Sequence, residues 1–193
     1  VAQLIHLPVL QQLSERFEVV SLYDPSPTVA QVVGHQWAIP NIHTDIESFF
    51  ADRAFEAVMI LSPDQYHAEH ARFAFAAGLH VFLEKPACLT EAEFALLQED
   101  FERAHCVGMV GYMRCYAPAF QKARALLPDL GPIRCVRIRD VICEGPWFFE
   151  QVRSVVVPNE DIPEDLLVSG RQARREALLS VCGEEAPAFL LRG

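Results

Sequence analysis

Hydrophobic positions along this chain switch between helical and strand spacing, and the switches mark its elements. Residues 1–14 carry Leu4, Ile5, Val9, Leu10 and Leu13 at helical spacing, which predicts a helix with one face on a sheet. Residues 17–23, FEVVSLY, read as a strand that must end at the turn Asp24-Pro25-Ser26-Pro27. Short helices are expected over 28–33, stopped at Gly34, and over 45–51, with 35–39 a strand candidate between them. An apolar strand over 57–61 breaks at Ser62-Pro63, an alanine-rich helix covers 65–77, and Gly78 precedes a strand that runs into Glu84-Lys85-Pro86. Thr90 is placed to cap a helix over 91–104, with Glu93 completing a capping box, and a strand over 106–110 follows.

Strands alternating with helices predict an α/β fold, a Rossmann-like doubly wound parallel sheet, because parallel neighbours need crossover connections. Beyond that the pattern changes. Gly131-Pro132 opens a candidate strand over 133–142, with Val136, Ile138 and Ile142 on one face and Arg137 and Arg139 on the other. One-sided patterning suits a sheet covered on a single face, so residues 1–130 are expected to form a nucleotide-binding domain and 131–193 to begin a second, α+β domain. Residues 146–163 read as loop. A helix over 164–181 is expected despite Gly170, with Leu166, Leu167, Ala173, Ala177, Leu178 and Val181 on one stripe.

At 193 residues and 51% hydrophobic content the chain can bury a sizeable core. Its apolar runs fall short of the ~18 residues of a membrane helix, so no membrane partner is expected. A net charge of −10 argues against non-specific nucleic-acid binding. The six cysteines lack CxxC spacing or a regular framework, which is read as reduced thiols and a cytoplasmic setting. His67 and His70 are too few to hold a metal, and none is expected.

In an open parallel sheet, ligands bind beyond the carboxyl ends of the strands, which places Glu84 and Lys85 where a bound molecule meets an acid and an amine. Pro86 stiffens that turn and pushes Lys85 towards an extended conformation. The stretch also belongs to a longer ordered set: Ser62-Pro63-Asp64, His67, Ala77-Gly78-Leu79-His80-Val81, Glu84-Lys85-Pro86, and then Gly111-Tyr112-Met113-Arg114 with Tyr116 and Pro118. This set, spread over about residues 1–142, resembles the Gfo/Idh/MocA family of sugar and cyclitol oxidoreductases. The family pattern has Thr-Pro-Asn at the first position, a His three residues on, Ala-Gly-Lys/Arg-His-Val, Glu-Lys-Pro and Gly-x-x-Arg-Phe-x-Pro. Asp64 departs from it, since an ionised carboxylate cannot donate the amide hydrogen that Asn offers.

The resemblance implies hydride transfer between a nicotinamide cofactor and a sugar, inositol or related polyol, in a protein that forms homo-oligomers. Asp24, at the end of the second family strand, is placed to accept both hydroxyls of an adenosine ribose. With no Arg or Lys after it to neutralise a 2′-phosphate, NAD is favoured over NADP. Its competing reading is a turn residue that caps the following helix. The resemblance also implies cofactor contacts at Ser62 and Pro63. His67, in the first helical turn after them, reads either as a cofactor contact or as a neutral ring that caps the turn. Lys85 is the expected chemical residue, holding the substrate hydroxyl and helping to remove its proton together with a His of the family's downstream segment. Glu84 is read as a cofactor or turn contact that orients Lys85, and Arg114 as a substrate contact or a surface ion-pair partner. Both ends read as cut: the glycine-rich phosphate loop that opens a dinucleotide-binding unit is expected before Val1, and the family's downstream His after Gly193. The alternative function is a dinucleotide-binding regulator of the same fold that has lost catalysis.

Overall fold

The computed structural model describes residues 1–52, 54–139, 155–158 and 160–184. These divide into two compact units, one of Val1–Gly111 with the described residues from Val156 onward, the other within Tyr112–Val155. The boundary expected after Leu130 therefore lies inside the second unit.

In the first unit a π-helical segment, Ala2–His6, continues into α1 (Leu7–Gln12). Then come β1 (Ser21–Tyr23), α2 (Pro27–Gln36), β2 (Asn41–His43), α3 (Ile46–Ala51) and β3 (Ala57–Ile60). A 3-10 turn at Asp64–Tyr66 leads into α4 (His67–Ala76), β4 (His80–Leu83), α5 (Glu91–Ala104) and β5 (Gly108–Val110). β1 and β2 pair in parallel, and so do β3, β4 and β5, and each of these strands is joined to the next through a helix as parallel pairing demands. β1 pairs with β2, Leu22 opposite Ile42; β4 lies between β3 and β5, with Val81 opposite both Val58 and Gly108.

Local chemistry sets the helix starts. Ser26 caps α2 by accepting the Val29 N–H, with Pro27 at the first position, and Asp45 caps α3 through the Ser48 N–H. Thr90 and Glu93 form the full capping box at α5. The alanine positions of α4 serve packing: Ala71 and Ala74 are fully buried, which lets the helix lie close to Val58, Ile60, Val81 and Leu83 of the strands. Phe49, Phe75, Leu79 and Leu97 complete this core, and a second cluster joins Leu7, Val29, Val33 and Ile39.

Three elements differ from expectation. Gly34 does not stop α2; a Cβ there would lie 2.4 Å from Cδ1 of Ile42, so the glycine allows close approach of the helix to β2. The helix ends later, at Gln36, followed by a turn in which Ala38 takes φ +53, and the strand forms at Asn41–His43. The strand expected over 17–23 is laddered only at Ser21–Tyr23, the length of its pairing with β2. Among the described residues no ladder joins β1 to β3. Their edges instead line one slot of about 1930 Å³, together with Leu10 and Leu13 of the first helix.

In the second unit a 3-10 turn, Met113–Tyr116, precedes α6 (Pro118–Leu126) and another such turn at Leu127–Leu130. The strand expected over 133–142 is not formed at 133–139, where Ile138 is 86% exposed and no ladder partner is found among the described residues; 140–142 lie outside them. Most of the loop expected at 146–163 is likewise outside them. The last expected helix is present as α7 (Glu164–Cys182), which belongs to the first unit. Its packed side centres on Leu166, Gly170, Arg174, Ala177 and Leu178, while Leu167 and Val181 are exposed.

Candidate functional site

The expected site residues of the first unit stand at the carboxyl ends of its strands: Asp24 follows β1, Ser62 and Pro63 follow β3, and Glu84 and Lys85 follow β4. Asp24, Ser62, Pro63 and Asp64 line the same slot. Asp24 accepts the Ser26 N–H at 2.9 Å through Oδ1, the turn-capping arrangement weighed from the sequence, and its second oxygen is left for another donor among the described residues. Burial holds its carboxyl above the usual carboxylate range; the Ser26 N–H opposes this and the charge of Asp161 adds to it. Asp161 was not foreseen here. Its carboxylate accepts the Ser26 hydroxyl at 2.6 Å and the Thr28 N–H at 2.7 Å, sharing the start of α2 with Ser26, which is fully buried.

At the end of β3 the Ser62 hydroxyl lies 3.0 Å from Nδ1 of His70, a ring stacked on Tyr66 with centroids 5.6 Å apart. Burial, helped by the charge of His67, lowers the His70 pKa to about 4, so its ring is neutral at physiological pH. Helix α7 closes over this turn. Tyr66 donates to the Leu166 carbonyl at 2.9 Å, Arg174 stands 3.6 Å from the Asp64 carboxylate, and a Cβ on Gly170 would fall 2.2 Å from the Tyr66 hydroxyl oxygen. Asp64 thus has a cationic partner within the chain.

His67 is 2% exposed and sits at the start of α4. Nδ1 is 2.6 Å from the Pro86 carbonyl and Nε2 is 2.7 Å from the Ser62 carbonyl. A neutral ring donates one of these bonds and an imidazolium both. Either way, both nitrogens face backbone and neither is left for a cofactor. Glu84 is held on two sides: Oε1 lies 2.9 Å from Nε2 of His6, and Oε2 accepts the Lys85 N–H at 3.1 Å. Lys85 itself is exposed, its peptide bond to Pro86 is cis, and among the described residues no carboxylate pairs with its ammonium. Arg114 lies exposed on the 3-10 turn of the second unit. The partners His6, His70 and Asp161 escaped sequence reasoning; only His70 carried a signal, its place one helical turn from His67.

Residues 2–112 match the sequence model of the oxidoreductase family with the NAD-binding Rossmann fold, Gfo/Idh/MocA. This chain belongs to that family. The Gfo/Idh/MocA chain is 28% identical over 116 residues to the NAD-dependent scyllo-inositol 2-dehydrogenase of Bacillus subtilis, covering 60% of itself and 34% of that protein. It is 25% identical over 150 residues to the NADP-dependent scyllo-inositol 2-dehydrogenase IolU of the same organism, covering 78% and 45%. The WlbA dehydrogenase of Chromobacterium violaceum, solved with NADH and UDP-GlcNAcA, superposes with a TM-score of 0.63 at 16% identity, over 66% of this chain and 37% of the other. At that identity the likeness carries the fold alone; the NAD-binding Rossmann description rests on the family match. The chain spans less than half the length of these relatives.

Proposed function

We propose that this family member is the nucleotide-binding part of an NAD-dependent dehydrogenase that moves a hydride between the nicotinamide and a secondary alcohol of a sugar, inositol or related polyol. The observation that supports this reading is the placement of Ser62, Glu84 and Lys85 just past the carboxyl ends of the adjacent parallel strands β3 and β4, where an open α/β sheet receives its ligand, with Asp24 past the end of β1 and on the same slot as Ser62. The two scyllo-inositol dehydrogenases among the relatives support the polyol class, and they use different cofactors.

The donor set fits the adenosine end of a dinucleotide in part. Among the described residues Asp24 uses only Oδ1, on the Ser26 N–H, which leaves its other oxygen to meet a ribose hydroxyl, and the turn at Ser62-Pro63 borders the same slot. No glycine-rich nest for the pyrophosphate is present in 1–193, where the first glycine, Gly34, is packed on Ile42. Asp24 favours NAD because its carboxylate would repel a 2′-phosphate, and neither Pro25, Ser26 nor Pro27 offers a cation against it. The nicotinamide supplies the hydride acceptor. Lys85 holds the substrate hydroxyl and helps to take its proton, and Glu84 fixes the Lys85 backbone. The complete protein is assigned to the cytoplasm and to a homo-oligomer.

Titration of the complete protein with each reduced cofactor, followed by fluorescence, tests the cofactor assignment. NADH should bind more tightly than NADPH, and Asp24→Ala should narrow the gap. Equal affinities in the unsubstituted protein would overturn it.

A further inference from the structure

Strands β3 and β4 are tied as far as the Glu84 N–H, which donates to the Ile60 carbonyl at 2.9 Å. Past that point both chains enter proline turns, Ser62-Pro63 and Lys85-Pro86. Proline has no N–H, so neither Pro63 nor Pro86 can donate to continue the ladder. The imidazole of His67 stands between the carbonyls of Ser62 and Pro86, its nitrogens 2.7 and 2.6 Å from them, and it joins both when each nitrogen carries a hydrogen. The ring is almost wholly buried and anchored at the start of a helix whose Ala68, Ala71 and Ala74 are locked in the core. It therefore acts as a rigid spacer between the turn that borders the slot and the turn that carries Lys85.

We propose that His67 is a positioning residue, which clamps the Ser62 turn to the Pro86 turn and so sets where the Lys85 amine stands relative to the cofactor side of the site. This rests on the assignment of chemistry to Lys85. A misplacement of about 1 Å can cost ~10²-fold in rate without loss of binding. The clamp acts on the backbone carbonyls, so its loss should appear in turnover and in the surroundings of Lys85, not in cofactor affinity.

The test uses the complete protein with myo-inositol and NAD as probe, and His67→Gln and His67→Ala as variants. Gln retains much of the volume and one donor group, which keeps the test open if the Ala variant does not fold. The expected result is a kcat lower by roughly 10-fold or more with KM for NAD changed less than about 3-fold, and the larger effect in Ala. A second readout needs no turnover. The protein is reductively methylated with 13C-formaldehyde, and the Lys85 resonance is assigned by its absence in Lys85→Arg. That resonance should move in His67→Gln while the Lys122 resonance stays. A Lys85 resonance that does not move in folded His67→Gln overturns the proposal, as does unchanged kcat, or a KM for NAD that rises in step with any loss of kcat. If the unsubstituted protein does not oxidise myo-inositol, the resonance alone decides. A kcat unaffected in Lys85→Ala but lowered in His67→Gln would remove the assigned role of Lys85, and with it this one.

Discussion

The half-buried, neutral His70 makes a quantitative demand on stability. Its pKa is about 4 in the folded chain against 6.5 for the free side chain. Between those values the unfolded chain binds the proton and the folded one does not. Stability from this group is therefore fully present above pH 6.5 and is lost as pH falls through the window towards 4. The whole window, from 6.5 down to about 4, amounts to roughly 3 kcal/mol at ~1.4 kcal/mol per pH unit, and a fall from pH 7 to pH 5 draws on about 2 kcal/mol of it. His70→Gln removes the titration while keeping an amide that can meet the Ser62 hydroxyl. Urea unfolding of the complete protein at pH 7 and pH 5 should show the unsubstituted form losing about 2 kcal/mol more than His70→Gln over that interval. The carboxylates titrate alike in both and cancel in the difference. Equal losses would refute the burial assigned to His70, and with it the stacked arrangement of Tyr66 and His70 behind the Ser62 turn.

Gly170→Ala tests the docking of α7: alanine normally gains about 1 kcal/mol in a helix interior, yet here overpacking against Tyr66 should cost ~1–3 kcal/mol, so thermal unfolding should shift downwards. An upward shift would mean that α7 does not pack on Tyr66. Residues 1–193 expressed alone should self-associate, because among the described residues the edges of β1 and β3 find no ladder partner. Light scattering that shows dispersed monomer would contradict this.

Much of the first unit was legible because its signals are local. The Thr90–Glu93 capping box, the switch from period 2 to helical spacing after Ser62, and the alanine face of α4 each depend on residues within a few positions of one another. Gly34 was misread because a glycine that ends a helix and one that lets a helix approach a strand look the same until Ile42 is in place. Residues 133–139 have strand composition, but a strand also needs a partner, and composition does not supply one. The strand-end residues of the site were found through the spacing of the motif set. Their partners were not, since Ser26 meets Asp161 across 135 positions and Glu84 meets His6 across 78. His67 shows both limits: its place in the motif was plain, while its role depends on two carbonyls that a sequence does not show.

Polyol-dependent reduction of NAD by the complete protein, measured beside Lys85→Ala across a panel of inositols and aldoses, bears most directly on the proposed function. The expected result is NADH formation with at least one member of the panel and a turnover lower by ~10²-fold or more in Lys85→Ala, with NADH binding retained. NADH binding without turnover on any polyol, or a Lys85→Ala variant with undiminished turnover, would contradict it, and the former would point to a cofactor-binding regulator.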